Sequence, residues 1–133
     1  MKISKSTYNK LLNNSITQKQ NKYHNKKVEY NGIKFDSIKE RNRYLQLLQL
    51  EKLGIIQNVR TQVPFLLLDT IRYKGKTYPK VQYYADFQYK DVKTGKTIVE
   101  DVKSEITRKD KVYRLKIKML LSKYHDIDFE EIL

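Results

Sequence analysis

Two runs of alternating apolar and polar residues, Val81 to Tyr89 and Thr97 to Lys103, flank the turn-rich segment Lys93-Thr94-Gly95-Lys96. This pattern constrains the fold more than any other in the chain, because two strands joined by a tight turn face each other in pairs whose numbers sum to a constant set by the turn. A two-residue loop at Lys93-Thr94 gives a constant of 187 and sets Asp86 opposite Asp101. A loop at Thr94-Gly95 gives 189 and sets Asp86 opposite Lys103. Either way Asp86, Asp101 and Lys103 share a face, while Val81, Tyr83, Ala85, Phe87 and Tyr89 alternate onto the other. An even constant, produced by a bulge in the turn, would bring Glu100 onto that face in place of Asp101.

The neighbouring segments have their own signals. Val28 to Phe35 holds two short alternating runs around Asn31-Gly32, a strong hairpin signature. From Ser37 to Leu53, Tyr44, Leu45, Leu47, Leu48, Leu50 and Leu53 recur at helical spacing, and Gly54 is the natural stop. Ile55 to Leu68 is rich in β-branched and large apolar residues and reads as a strand that bends or ends near Pro64. Lys74-Gly75-Lys76 marks a turn. A helix is expected from about Lys109 to Tyr124, with Tyr113, Leu115, Ile117 and Leu120 inward, and a short strand over Ile127 to Phe129. Tyr83, Tyr84 and Tyr89 are expected to pack in the core.

At 133 residues the chain suits one domain, read as residues 27–133, preceded by a flexible basic arm over 1–26. Residues 1 to 27 carry seven lysines and no acid. Overall, 28 Lys and Arg against 15 Asp and Glu leave a formal charge of +13, which calls for a polyanionic partner, and DNA is the foremost candidate. No basic amphipathic helix with a broad apolar face appears, so no membrane partner is expected. The absence of cysteine excludes disulfides, thiolate metal sites and a cysteine nucleophile. With no apolar leader at the start, the expected location is the cytoplasm, that of a bacterial host if the chain is phage-encoded. His24 and His125 suggest no metal site, and no Gly-rich phosphate loop is present.

Two carboxylates at cross-strand distance repel each other, a cost that a divalent cation removes. Hard oxygen donors without His or Cys suit Mg²⁺, with Mn²⁺ as a substitute. A lysine two residues along the same strand can orient a water and offset phosphate charge. Such a set suits phosphodiester hydrolysis.

Glu40 on the first helix, Asp86 in Tyr84-Ala85-Asp86-Phe87 and the tripeptide Asp101-Val102-Lys103, followed by a helix, together resemble the PD-(D/E)XK nuclease superfamily, with Ala85-Asp86 in place of the signature Pro-Asp. Phe35 to Glu40 and Val99 to Lys103 look like a family of small phage and prophage resolvase-like nucleases within it, over about residues 22 to 130. The resemblance implies an α/β, restriction-endonuclease-like fold with a mixed β-sheet flanked by helices. It also implies a Mg²⁺-dependent DNA endonuclease acting on branched DNA of the Holliday-junction kind in recombination, as a homodimer. Asp86, Asp101 and Glu40 would be the metal ligands and Lys103 the catalytic lysine. Two other functions stand beside it: a less structure-selective nuclease of DNA processing, restriction or transposition, and a DNA-binding regulator without turnover.

Several of these residues have competing roles. Ser37-x-x-Glu40 is also a capping box, in which the glutamate serves the helix start. Asp86, Asp101 and Lys103 could be an ordinary charged sheet face. Lys111, Arg114, Lys116 and Lys118 on the last helix, with Lys26 and Lys27 in the arm, are the candidate DNA contacts, although charge runs usually serve solvation.

Overall fold

The computed structural model describes residues 27–133. The proposed arm over 1–26, with Lys26 and His24, lies outside them. The chain divides into two compact units at Val59 and Arg60.

In the first unit, β1 (Val28–Tyr30) and β2 (Ile33–Phe35) form the expected hairpin. Its turn residues Asn31 and Gly32 both take positive φ, 49° and 78°, as a type I′ turn requires. Helix α1 (Ile38–Lys52) follows, with Ser37 at its N-cap accepting the Glu40 amide at 3.1 Å. Tyr44 packs on the hairpin, its ring 6.3 Å from Tyr30 and 5.2 Å from Phe35. The helix ends in a Schellman motif: Gly54 at φ 76° donates to the Glu51 carbonyl, and Ile55 reaches back to that of Leu50.

The second unit is built on a sheet ordered β3-β6-β7-β8. Its strands are β3 (Ile56–Leu68), β6 (Val81–Asp91), β7 (Thr97–Val102) and β8 (Ile127–Ile132). β6 and β7 are antiparallel and β7 and β8 parallel, so the sheet is mixed and the fold α/β. Between β7 and β8 the chain crosses through a 3-10 turn (Thr107–Lys109) and helix α2 (Lys111–Lys123), whose N-cap Asp110 accepts the amides of Val112 and Tyr113. Pro64 does not end β3; the strand continues to Leu68 at the sheet's edge, where a missing amide costs nothing. The irregularities of β3 are instead Asn58 and Gln62, at φ 60° and 49°. A small ribbon, β4 (Ile71–Tyr73) and β5 (Lys76–Tyr78), grows from the expected turn at Lys74-Gly75.

Val63, Phe65, Leu67, Tyr83, Ala85, Val99 and Leu120 form the core of this unit, with Tyr113, Ile117, Tyr124 and Phe129 packed around it. Two hydrogen bonds tie α2 to the sheet: Lys116 Nζ to the Gln82 carbonyl at 3.0 Å, and Tyr124 Oη to that of Leu66 at 3.0 Å. Two core expectations fail. Leu115 and Tyr84 are 59% and 54% exposed, Leu115 because it lies on the outer side of α2 and Tyr84 because it alternates away from the core.

Among the described residues, no helix is long and apolar enough to cross a membrane.

Leu120 is fully buried at the centre of the α2–sheet contact. Leu120→Ala should cost about 2–5 kcal/mol of unfolding free energy in a urea titration, whereas Leu115→Ala should stay within about 0.5 kcal/mol of the parent.

Candidate functional site

Every pair in the β6–β7 ladder, from Lys90↔Thr97 to Phe87↔Glu100, sums to 187, one of the two expected constants. The loop is longer than two residues, since Asp91 donates to the Lys96 carbonyl at 2.9 Å and Gly95 to that of Asp91 at 2.8 Å. Lengthening it evenly on both sides of Lys93-Thr94 keeps the midpoint, and so the register. The Asp91 carboxylate holds the loop by accepting the Lys93 and Thr94 amides, an Asx-type turn.

The strict alternation expected along β6 breaks at Asp86. β7 is regular, because its parallel ladder with β8 runs unbroken from Thr97↔Ile127 to Val102↔Ile132, so Glu100 and Asp101 point to opposite faces. Tyr89 donates its hydroxyl to Glu100, and Tyr83 donates its hydroxyl to Asp101. Tyr83 and Tyr89 would share a face in a regular strand. The facing of β6 therefore changes between Ala85, which packs with Val99, and Phe87, which pairs with Glu100. A one-residue irregularity of this kind re-aims a side chain. Here Asp86 Oδ2 accepts the Val102 amide at 2.8 Å, two residues past Glu100, where the ladder ends on β7. Asp86 Oδ1 accepts from the side-chain amide of Gln62 at 3.3 Å, and Gln62 is itself one of the positive-φ residues of β3.

Asp101 is buried to 2% exposure. Its Oδ2 takes the Tyr83 hydroxyl and its Oδ1 lies 3.2 Å from Lys103 Nζ. Lys103, whose amide donates to the Ile132 carbonyl at 2.9 Å, holds its Nζ 4.4 Å from the centre of the Tyr113 ring. The phenol of Tyr113 is pushed above its ordinary range by burial first, then by the charges of Asp101, Glu131 and Asp86. Burial, then Asp101, does the same to Tyr83 more strongly, with Asp86 contributing again. Asp86 and Asp101 thus act on the same two phenols, and Glu100 does not figure among the charges. The odd register gives the same assignment: Glu100 is buried on the opposite face and serves Tyr89.

Beside this cluster opens a cleft of about 360 Å³ lined by Arg108, Lys109, Tyr113, Arg114, Ile117 and Glu131. Three cations from the 3-10 turn and α2 thus share a cleft wall with Tyr113, the phenol that feels the charges of both aspartates. Of the expected DNA contacts, Arg114 lies in the cleft wall, Lys111, Lys118 and Lys27 are exposed, and Lys116 is engaged by the Gln82 carbonyl. Glu40 lies in the first unit, 5% exposed on the first turn of α1.

Tyr83, Tyr113, Gln62, Glu131, Arg108 and Lys109 carry no sequence motif that marks them as site residues. The tyrosines read as core, and that reading holds for their rings, while the Tyr83 hydroxyl meets the Asp101 carboxylate. Arg108 and Lys109 precede α2, whose periodicity suggests a slightly earlier start. The position of Gln62 depends on a backbone irregularity that no local composition announces.

Two carboxylates fit Mg²⁺, which is commonly held by one or two protein carboxylates with waters and phosphate oxygens completing its shell. Among the described residues, no three acidic or histidine side chains are grouped closely enough to hold a metal ion by themselves.

Tyr83→Phe removes the donor to a buried carboxylate oxygen and should cost about 1–3 kcal/mol at neutral pH. Because folding raises the Tyr83 and Tyr113 pKa values above the ordinary value near 10, their contribution is complete below about pH 10 and fades as pH climbs past it, when the unfolded phenols ionise first. Urea titrations at pH 8 to 11 should therefore show the gap between parent and Tyr83→Phe narrowing above pH 10. A gap independent of pH would refute the Tyr83–Asp101 linkage.

No curated protein and no solved structure matches the chain. A family model described as a protein of unknown function (DUF1064) matches residues 20–133, and the chain belongs to that family.

Proposed function

We propose that this protein is a metal-dependent DNA endonuclease of the PD-(D/E)XK type. The observation that carries the reading is the meeting of Asp86, re-aimed at an irregular point of β6, with Asp101 and the Lys103 ammonium 3.2 Å from it, beside a cleft walled by Arg108, Lys109 and Arg114. An acid pair with an adjacent lysine needs a reason to stand next to a cationic cleft, and a phosphodiester supplies one: phosphate oxygens meet the cations while the acids handle the attacking water. The net charge of +13 favours the same substrate.

Asp86 and Asp101 would hold Mg²⁺, or Mn²⁺ in its place. When bound, the ion supplies Lewis acidity at the phosphoryl group and makes a hydroxide available near neutral pH. Tyr83 fixes one oxygen of Asp101 and the Val102 amide fixes one of Asp86, so each carboxylate is oriented in advance. Lys103 is steered by the Asp101 charge and the face of Tyr113, from where it can position a water and offset negative charge on phosphate. The cleft's cations would grip the flanking backbone without reading sequence. Branched DNA processed by a homodimer in phage or mobile-element recombination is the substrate class that the superfamily resemblance brings with it, and a less structure-selective nuclease uses the same chemistry.

One observation favours the second reading, a DNA-binding protein without turnover. Each oxygen of Asp86 and Asp101 already has a protein donor or cation beside it.

The test is incubation of labelled four-way junction, linear duplex and single-stranded DNA with the protein in Mg²⁺, Mn²⁺ or EDTA. Paired nicks confined to the junction and absent in EDTA are the expected result. Asp86→Ala and Asp101→Asn should each reduce the rate by about a thousandfold or more, and Lys103→Met by about 10²–10⁴. Cleavage of all three substrates would remove junction selectivity and keep the nuclease. DNA binding without metal-dependent cleavage under any condition would leave the second reading.

A further inference from the structure

The β4–β5 ribbon has no part in the site described above, and every one of its six strand residues is exposed. An isolated two-stranded ribbon is at best marginal in water, so a fold that keeps one outside its core usually gives it a partner. The pairing Ile71↔Tyr78, Arg72↔Thr77, Tyr73↔Lys76 puts Ile71, Tyr73, Tyr78 and Lys76 on one face and Arg72 and Thr77 on the other. The first face is an apolar and aromatic patch, with Ile71, Tyr73 and Tyr78 at 55%, 61% and 47% exposure. Contiguous exposure of this kind marks an interaction surface more often than isolated apolar residues do. The Lys80 amide donates to Thr70 Oγ1 at 3.2 Å, closing the base of the ribbon, and Lys74 and Gly75 at its tip take φ 50° and 75°. The ribbon is therefore held in shape without burying a side chain of its own.

The charge decides what kind of partner fits. Lys76 lies on the patch face, Lys74 at the ribbon's tip and Lys80 at its base, Arg72 projects from the other face, and Asp69 is the single acid of the segment 69–80. Lys74 lies 5.4 Å from the centre of the Tyr73 ring, and Lys76 lies 5.3 Å from that of Tyr78. A second copy of the chain would bring like charges together here, whereas a nucleic acid offers phosphates to the cations and flat base faces to the tyrosines. Paired bases inside a continuous duplex keep their faces covered by their neighbours.

We propose that the β4–β5 ribbon is a DNA-contacting element that takes strands with unstacked bases, single-stranded or at a branch point, by stacking Tyr73 and Tyr78 on bases while Lys74 and Lys76 meet the adjoining phosphates. This deepens the nucleic-acid reading by naming the substrate feature gripped, and it rests on DNA binding but not on hydrolysis.

Affinity is measured by fluorescence anisotropy on the full chain in EDTA, where no cleavage can intervene, with a labelled single strand, a four-way junction and a continuous duplex. Tyr73→Ser with Tyr78→Ser should weaken binding to the single strand and the junction by at least about tenfold, and to the duplex by less than about threefold. Lys74→Gln with Lys76→Gln should flatten the slope of log affinity against log salt by about 1.4 on the single strand, because each lysine–phosphate pair releases about 0.7 of a counterion there. Neither pair touches the core, and unchanged circular dichroism and urea midpoint would confirm that each variant is folded. Single-strand affinity within twofold of the parent in both variants overturns the proposal. So does an equal loss on duplex, or a dimer in sedimentation velocity that the tyrosine variant dissolves while DNA affinity is untouched. Ribbon-dependent binding by a protein that cleaves nothing would sustain this inference and defeat the nuclease reading alone.

Discussion

A carboxylate taken out of water must be given partners, and much of the second unit's polar chemistry follows from where Asp101 is buried. Left alone, such a group would cost several kcal/mol. The Tyr83 hydroxyl and the Lys103 ammonium meet it from two sides. Supplying Tyr83 requires β6 to show that residue to the face Asp101 occupies, while farther along the same strand Tyr89 serves Glu100 on the other face. Both acids of β7 can be satisfied only if β6 changes its facing between them. The irregularity at Asp86 is thus what permits two adjacent buried acids in a central strand, and it also turns Asp86 toward the Val102 amide.

The parts of this arrangement that depend on local spacing are legible in the sequence. The Asn31-Gly32 turn, the capped helix from Ile38 ending at Gly54 and the placement of Asp86, Asp101 and Lys103 in one neighbourhood all follow from short-range rules. The register of 187 is one of the two odd constants the sequence leaves open, and the four-residue loop keeps it because it shares its midpoint with a two-residue loop at Lys93-Thr94. What is not legible depends on tertiary contact. The break in alternation at Asp86 leaves the apolar-polar pattern of β6 intact, since the residues on either side remain buried on different faces. A tyrosine with a packed ring and a hydroxyl on a carboxylate reads as core from sequence alone. The second ribbon reads only as a turn, because its flanking strands of three residues are too short to show a period.

The cations are distributed according to two different demands. Lys116 spends its charge internally on the Gln82 carbonyl, and Lys103 lies against Asp101 and Tyr113. Arg108, Lys109 and Arg114 line an open cleft, and Arg72, Lys74 and Lys76 stand on a ribbon with no core beneath it. The net charge of the chain therefore conceals a division between lysines that hold elements together and exposed cations on the cleft and the ribbon, of which Arg108 keeps a surface pair with Glu105 at 3.7 Å.

The clamp between the Lys103 amide and the Ile132 carbonyl bears on the order in which the molecule assembles. β6 and β7 can zip together through a local turn, but the strand that fixes the lysine's backbone arrives only after the chain has crossed through α2 and returned in parallel. Closing that longer loop carries an entropic penalty that the hairpin avoids. The backbone that carries Asp86 and Asp101 pairs through a local turn, whereas the backbone bond of Lys103 needs the longer crossover to close.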